Sequence, residues 1–357
     1  MGQRVVVAMS GGVDSSVAAA LLVDEGYDVV GVTLRLWPEE EANGHSHPCC
    51  LSEGVSDAQA VARCLGIPHY VLNMEASFRE HVVDYFCAEY ARGRTPNPCL
   101  ACNRVLKFHL LLGKALALGA GHLATGHYCR IAVSNGTFRL LRGADGAKDQ
   151  SYFLYMLGQS EMSHVLFPVG GLAKAQVRDY ARRRGLPVSD KEESQEVCFV
   201  PGDYRAFLEE RLAPTPGPVV DGGGRVVGEH PGVAFFTVGQ RRGLRLGGGI
   251  PRYVVKIEPE ESRVVVGEES ELYSSGMWAT GLSWTGEAPS GTVEVLARVR
   301  HRSPPAPAVV TPRDGGAAVE FVHPQRAIAP GQAVVFYSQA NGGEEVLGGG
   351  TIDRVEG

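Results

Sequence analysis

The segment Arg4-Val5-Val6-Val7-Ala8-Met9-Ser10-Gly11-Gly12-Val13-Asp14-Ser15-Ser16 runs from a β-branched strand through a double glycine into a helix that continues over Val17 to Leu22. Two adjacent glycines let backbone amides approach a phosphate with no Cβ in the way, and a helix N-terminus supplies partial positive charge. Ser10, Ser15 and Ser16 add hydroxyl donors, and Asp14 stands where a helix N-cap or a magnesium-associated carboxylate would act. No lysine follows the second glycine, so the loop is not a Walker A motif.

Outward from this loop, short apolar runs alternate with segments of helical period. Strands are expected over Arg4 to Met9, Val29 to Leu34, His69 to Asn73 and His122 to Gly126, with helices over Ser15 to Glu25, Val55 to Leu65, Lys107 to Leu118 and Lys174 to Arg184. Four such units predict an α/β fold, a doubly wound parallel sheet. From Pro214 the texture changes: Pro214, Pro216, Gly217, Pro218 and Gly222 to Gly224 exclude a persistent helix. Short runs at Arg252 to Ile257, Arg263 to Val266, Thr292 to Val299 and Ala333 to Tyr337, separated by Gly and Pro, predict two small β domains. The expected division is 1–205, a nucleotide-binding and catalytic α/β domain; 206–272, a small central β-rich domain; and 273–357, a C-terminal β-barrel.

The composition fits an ordinary globular chain: 357 residues, 44% hydrophobic and 21% charged, which excludes a disordered one. No apolar run approaches the roughly 20 residues of a membrane helix, and no signal peptide is recognisable, so a cytoplasmic protein without membrane partners is expected. The formal net charge of -6 excludes a protein that grips nucleic acid by bulk positive charge and leaves only local basic patches.

All eight cysteines precede residue 199. Arg94-Thr95-Pro96-Asn97-Pro98-Cys99-Leu100-Ala101-Cys102-Asn103 sets two thiols three residues apart behind a rigid Pro-Asn-Pro entry, near the start of a helix whose dipole favours thiolate. The pair alone reads equally as a redox couple or as half a zinc site, and Cys198, in Ser194-Gln195-Glu196-Val197-Cys198-Phe199, is the nearest further thiol.

The Ser10-Gly11-Gly12-Val13-Asp14-Ser15 loop resembles that of the PP-loop ATP pyrophosphatases, enzymes with an adenine nucleotide alpha hydrolase-like fold that cleave ATP between the α and β phosphates. With Pro96 to Asn103, Thr125-Gly126-His127-Tyr128, Lys148-Asp149-Gln150-Ser151-Tyr152-Phe153-Leu154, Ser194 to Phe199 and Thr237-Val238-Gly239-Gln240-Arg241-Arg242-Gly243-Leu244, nearly the whole chain resembles the bacterial tRNA-specific 2-thiouridylases of the MnmA type. The resemblance implies that ATP and Mg2+ are used to adenylate the C2 oxygen of the wobble uridine of tRNA, with release of pyrophosphate and AMP. Sulfur would come from a cysteine desulfurase or a sulfur-relay protein. It further implies that Cys102 is the nucleophile and Cys198 the persulfide carrier; that Ala8, Met9, Ser10, Gly11, Gly12, Val13, Asp14, Ser15, Leu34 and Gly126 bind ATP; that Asn97, Pro98 and Cys99 face the target base; and that Lys148, Asp149 and Gln150 meet the tRNA. Many members carry Asp where Cys99 stands, and a subset of sulfur-inserting enzymes uses three cysteines to hold a 4Fe-4S cluster. Cys99, Cys102 and Cys198 satisfy either a persulfide relay or such a cluster.

Other residues carry weaker signals. Arg298, Arg300 and Arg302 alternate in a strand-like run, which would put them on one face toward successive phosphates with His301 turned the other way. Arg178, Arg182, Arg183 and Arg184 suggest a basic helix face, and His45, His47, Cys49 and Cys50 a metal-like cluster or a surface loop. The rival readings are an amide-forming ligase with the same loop, and a non-catalytic RNA-binding zinc protein.

Overall fold

The computed structural model describes residues 2–38, 52–192, 197–200, 202–244, 246–247, 251–340 and 342–356. The loop bearing His45, His47, Cys49 and Cys50, and the residues Ser194 to Glu196, lie outside the described residues. The chain divides into two compact units: Met1–Val83 with Pro98–Gly202 and Glu344–Val346, and Asp84–Asn97 with Asp203–Gly343 and Leu347–Gly357.

In the first unit, β1 (Arg4–Ala8), β2 (Asp28–Arg35), β3 (His69–Asn73), β4 (His122–Thr125) and the short β7 (Val165–Leu166) form a parallel sheet in the order β3-β2-β1-β4-β7. The sheet and its helices bear out the expected α/β class. β1 lies at the centre and is covered on both faces, which explains its uninterrupted valines: Val5 and Val7 are fully buried. The fifth strand has only two residues, too few to register as a periodic run. β2 and β3 extend to one side of β1 and β4 lands on the other, so the loop after β1 opens where the winding reverses, the customary ligand site of such sheets.

Helix α1 (Val13–Asp24) begins two residues earlier than its pattern suggests. It is buried nearly all round, from Val17 to Ala20 and at Leu22, between α2 (Ser52–Leu65) and the helix Lys174–Arg183. The N-cap is Gly12, with no side-chain cap, and Asp14 belongs to the first turn, so Asp14 is not the cap. Gly11 has φ of +74°, and a Cβ there would stand 2.3 Å from the Gly54 carbonyl oxygen. A side chain at Gly11 would be both strained and blocked.

The segment after the Pro-Asn-Pro entry forms a continuous helix from Pro98, where the missing N–H costs nothing and φ is already helical. It is α-helical over Pro98–Ala101, widens to a π-helix over Cys102–Leu111 and returns to α over Leu112–Ala117. A hairpin joins β5 (Cys129–Ser134) to β6 (Thr137–Arg142) through Asn135 and Gly136, both at positive φ, as a two-residue turn requires. Leu140 and Leu141 of β6 pair in turn with Val346 and Glu345.

The second unit is built almost wholly of strands. β8 (Gly217–Asp221), β9 (Val226–His230), β10 (Tyr253–Glu258) and β11 (Arg263–Gly267) form a four-stranded sheet in the order β10-β11-β8-β9. β12 (Tyr273–Trp284), β13 (Val293–Arg298), β14 (Ala306–Arg313), β15 (Gly316–Arg326), β16 (Ala333–Ser338) and β17 (Glu345–Glu356) follow the order β12-β15-β14-β13-β16-β17, and β17 pairs back to β12 to close a barrel. Met277, Val295, Val310, Val319, Phe336 and Ile352 fill it.

The expected row of arginines does not form. β13 stops at Arg298, whose guanidinium folds back onto the carbonyl oxygens of Ser303 (2.8 Å) and His301, while Val299 is buried. Arg300 and His301 therefore lie in a turn, where period-two alternation has no meaning. Arg300 is exposed and His301 half-buried.

Candidate active site

A cavity of about 360 Å³ opens in the first unit where the sheet reverses its winding. One wall is the end of β1 and the loop after it, with Ala8, Met9, Ser10, Asp14 and Ser15. A second comes from β2 and the end of β4, with Thr33, Leu34, Thr125, Gly126 and His127. The long helix contributes Pro98, Cys99, Cys102, Asn103 and Lys107, and Val197, Cys198 and Phe199 complete the rim with Gln150 and Phe153.

The loop is tied by its own hydroxyls. The Ser10 amide donates to Ser15 Oγ at 3.1 Å, and Ser15 Oγ donates to the Gly12 carbonyl oxygen at 3.1 Å. Ser16, expected to offer its hydroxyl to a ligand, is fully buried and donates instead to the same Gly12 oxygen at 2.8 Å. Gly126 brings β4 against the start of α1: a Cβ on it would fall 2.5 Å from the Ser15 nitrogen. Thr33 Oγ1 donates to the Met9 carbonyl oxygen at 2.8 Å and so must accept from His69 Nε2, 2.9 Å away. Burial pushes the His69 imidazole below its ordinary range, consistent with a neutral ring in that role.

The Asp14 carboxylate is held by residues distant along the chain. Lys174 Nζ donates to both of its oxygens, at 2.7 and 2.8 Å, and Tyr128 Oη donates to Oδ1 at 2.8 Å. Lys174 was legible in the sequence only as the start of a helix, because its partner lies 160 residues away. His127 is held well below the usual histidine range, first by burial and then by the charge of Lys107. The imidazole faces the cavity as a neutral ring, with Nδ1 2.7 Å from Thr125 Oγ1.

The two thiols of the Pro98 helix and Cys198 border this same cavity, although 96 residues separate Cys102 from Cys198 (198 minus 102). Phe199 anchors the Cys198 segment: it packs edge-on against Phe78 at 5.4 Å and stacks on Trp37 at 6.4 Å. Yet among the described residues no three His, Cys, Asp or Glu side chains are grouped to hold a metal ion.

Several expected site residues lie elsewhere. Gly11, Gly12 and Val13 shape the turn without lining the cavity, and Asn97 falls in the second unit, as do Arg300 and His301. Lys148 is half-buried outside the cavity lining. Asp149, expected at the RNA, is only 3% exposed. Its carboxylate receives the Arg142 guanidinium at 2.9 Å and the amides of Gly143 and Ser151 at 3.1 Å each, which fixes the loop internally. Gln150, by contrast, lines the cavity and accepts from the Tyr128 amide at 3.0 Å. The basic face expected on the Lys174–Arg183 helix is largely spent on internal partners: Arg178 on the Ser189 and Lys191 carbonyls, Arg182 on Asp190, and Arg184 on Asp24.

The fold and site together define an α/β nucleotide-loop protein with cysteines on the nucleotide cavity and β modules after it. Residues 3–202 match the tRNA methyl transferase HUP domain, 205–268 the tRNA methyl transferase PRC-barrel domain and 274–352 the Aminomethyltransferase beta-barrel domain. The chain is 50% identical over 363 residues to the tRNA-specific 2-thiouridylase MnmA of Heliobacterium modesticaldum, covering 99% of this chain and 93% of that one. It is 52% identical to the protein of that name from Carboxydothermus hydrogenoformans, covering 99% and 98%. The chain belongs to the tRNA-specific 2-thiouridylase family, as its motifs imply.

Proposed function

We propose that the protein is a tRNA-uridine 2-sulfurtransferase: it adenylates the C2 oxygen of the wobble uridine with ATP and then replaces that oxygen with sulfur. The observation that carries this reading is that the glycine loop and the thiols of Cys102 and Cys198 border one cavity. An amide-forming ligase needs the loop but not the thiols.

In the first step the uridine C2 oxygen attacks the α-phosphorus, an O–P bond forms, and pyrophosphate leaves. The poor carbonyl electrophile now carries AMP as its leaving group. Sulfur arrives as a persulfide on Cys198, donated by a cysteine desulfurase or a relay protein. Its terminal sulfur bonds to C2, and AMP departs with the former C2 oxygen. The Cys102 thiolate then attacks Cys198 Sγ: the old S–S bond breaks, its electron pair stays with the new thiocarbonyl sulfur, and a Cys102–Cys198 disulfide remains for an external thiol to reduce. A 4Fe-4S cluster is not needed in this sequence.

Magnesium would come with the nucleotide phosphates, since Asp14, the carboxylate nearest the loop, is already engaged by Lys174. Ala8 to Ser15, Leu34 and Gly126 serve the nucleotide, with Gly11, Gly12 and Val13 acting through the shape of the turn. Asn97, Pro98 and Cys99 serve the target base, while Gln150, Lys148, Arg300 and His301 serve the tRNA. The chain works as three modules, 1–205, 206–272 and 273–357, in the cytoplasm where its tRNA substrate resides. The test is to incubate the protein with tRNA, ATP, Mg2+ and a persulfide donor. 2-Thiouridine should form in step with AMP, and ATP turnover without thiolation, or independent of tRNA, refutes the reading.

A further inference from the structure

Among the described residues that line the cavity, Lys107 carries the only lysine or arginine charge. The only carboxylate on that lining, Asp14, is already paired with Lys174. Lys107 Nζ donates to Asn103 Oδ1 at 2.9 Å, and Asn103, 3% exposed, is itself pinned by donating from Nδ2 to the Phe153 carbonyl oxygen at 3.0 Å. One of the ammonium's three protons is thus used to aim it, and no carboxylate among the described residues neutralises it. A cation held in a partly enclosed site without a counter-ion is arranged for an anion that arrives.

The helix geometry decides which part of the ligand it meets. In an α-helix, residues five apart point about 140° away from each other, so Cys102 and Lys107 would not share a face. Over Cys102–Leu111 the helix instead closes i to i+5 hydrogen bonds, which turns residues five apart closer together around the axis than an α-helix would. Cys102, Asn103 and Lys107 all border the cavity, with Lys107 one turn on from Asn103. The charge thereby stands on the thiol side of the nucleotide site, where the reacting carbon and its phosphate ester must sit.

We propose that Lys107 binds the α-phosphate of the nucleotide and stays on it through the adenylated uridine, as a further catalytic residue of the reaction. This rests on the function proposed above. While O–P forms and pyrophosphate leaves, the ammonium offsets charge at the α-phosphate; while S–C2 forms and C2–O breaks, it stabilises the departing AMP. It acts by charge alone and moves no proton. Asn103, pinned on the Phe153 carbonyl oxygen, is what aims it.

The experiment compares AMP with adenosine, two probes that differ only in the phosphate, by equilibrium binding to the full-length wild type, Lys107→Met and Lys107→Arg. Lys107→Met should weaken AMP binding at least about tenfold and leave adenosine within about twofold, and Lys107→Arg should recover most of the AMP affinity. With tRNA present, AMP formation from ATP by Lys107→Met should fall about 100-fold. Unchanged AMP binding in Lys107→Met overturns the proposal. So does an equal loss for AMP and adenosine, which would make Lys107 only a support for Asn103. If the wild type forms no AMP with tRNA, the proposed function fails, and the AMP-against-adenosine contrast still decides whether Lys107 holds the phosphate.

Discussion

Lys174 clamps Asp14: its ammonium reaches both carboxylate oxygens across 160 residues of chain, and so ties the first turn behind the nucleotide loop to the neighbouring helix that packs against α1. Lys174 is largely buried, with 11% of its side chain exposed, whereas Asp14 retains 31%. Removing the lysine leaves a carboxylate with only the Tyr128 hydroxyl among these contacts to offset it. Lys174→Met should destabilise the protein by about 1–3 kcal/mol, less than a fully buried pair would lose because Asp14 keeps some water. It should also slow tRNA-dependent AMP formation at least about tenfold. Thermal melts and an AMP assay read both effects; a variant with full AMP formation would show that the clamp is irrelevant to the loop.

Gly126 allows no side chain. An alanine Cβ would fall 2.5 Å from the Ser15 nitrogen and 2.6 Å from the Asp14 carbonyl carbon, so the end of β4 and the start of α1 must separate. Gly126→Ala should cost about 1–3 kcal/mol and weaken ATP binding by more than tenfold. Gly171→Ala, where a Cβ meets nothing within 4 Å, is the control. Equal ATP affinity in the two variants would remove Gly126 from the site.

Acid should weaken the fold through His127. Its folded imidazole stays neutral where the unfolded one, at about 6.5, takes a proton. Protons therefore favour the unfolded state as pH falls below about 6.5, by up to about 1.4 kcal/mol for each pH unit until the depressed folded value is reached. His69, His122 and His230 are shifted in the same direction, so the measurement is a difference. Between pH 7.5 and 5.5 the wild type should lose more melting temperature than His127→Asn. Identical acid sensitivity would mean that His127 titrates normally.

The cysteines separate adenylation from sulfur transfer. Cys102→Ala and Cys198→Ala should each abolish 2-thiouridine formation, while ATP affinity holds within about twofold because the glycine loop is untouched. Cys99→Asp, which removes that thiol and leaves Cys102 and Cys198 in place, should retain thiolation. Anaerobically purified protein stripped of iron should thiolate tRNA as well as untreated protein does. Thiolation that tracks iron content and disappears in Cys99→Asp would replace the persulfide relay with a cluster.

Arg300 is exposed in the turn after β13, and its guanidinium is available to a phosphate. Arg300→Ala should weaken tRNA binding and reduce the slope of log K against log salt by about 1, with no change in ATP affinity. Binding measured at several salt concentrations checks this, and an unchanged slope would move the tRNA path away from this turn.

What the sequence determined alone was local. The β-branched run, the double glycine and the helix after it follow from period and backbone freedom, and the structure returns them as β1, the loop and α1 within about two residues. The thiols were expected near the start of a helix over Lys107 to Leu118, and the structure starts that helix earlier, at Pro98, so that Cys99 and Cys102 lie inside it. Tertiary structure decided the partners. Nothing in the spacing of Asp14 and Lys174 joins them; packing of the Lys174–Arg183 helix against α1 does. Asp149 looks like a surface acid beside Lys148 until Arg142 and two backbone amides enclose it. Lys107 faces the cavity with its ammonium aimed by Asn103, which the Phe153 carbonyl oxygen pins from fifty residues along the chain. Cys198 reaches the same cavity through the anchoring of Phe199 on Phe78 and Trp37, contacts between segments that only the folded unit brings together. Propensity acts over a few residues, whereas a site is assembled by sheet order and packing, which act over the whole chain.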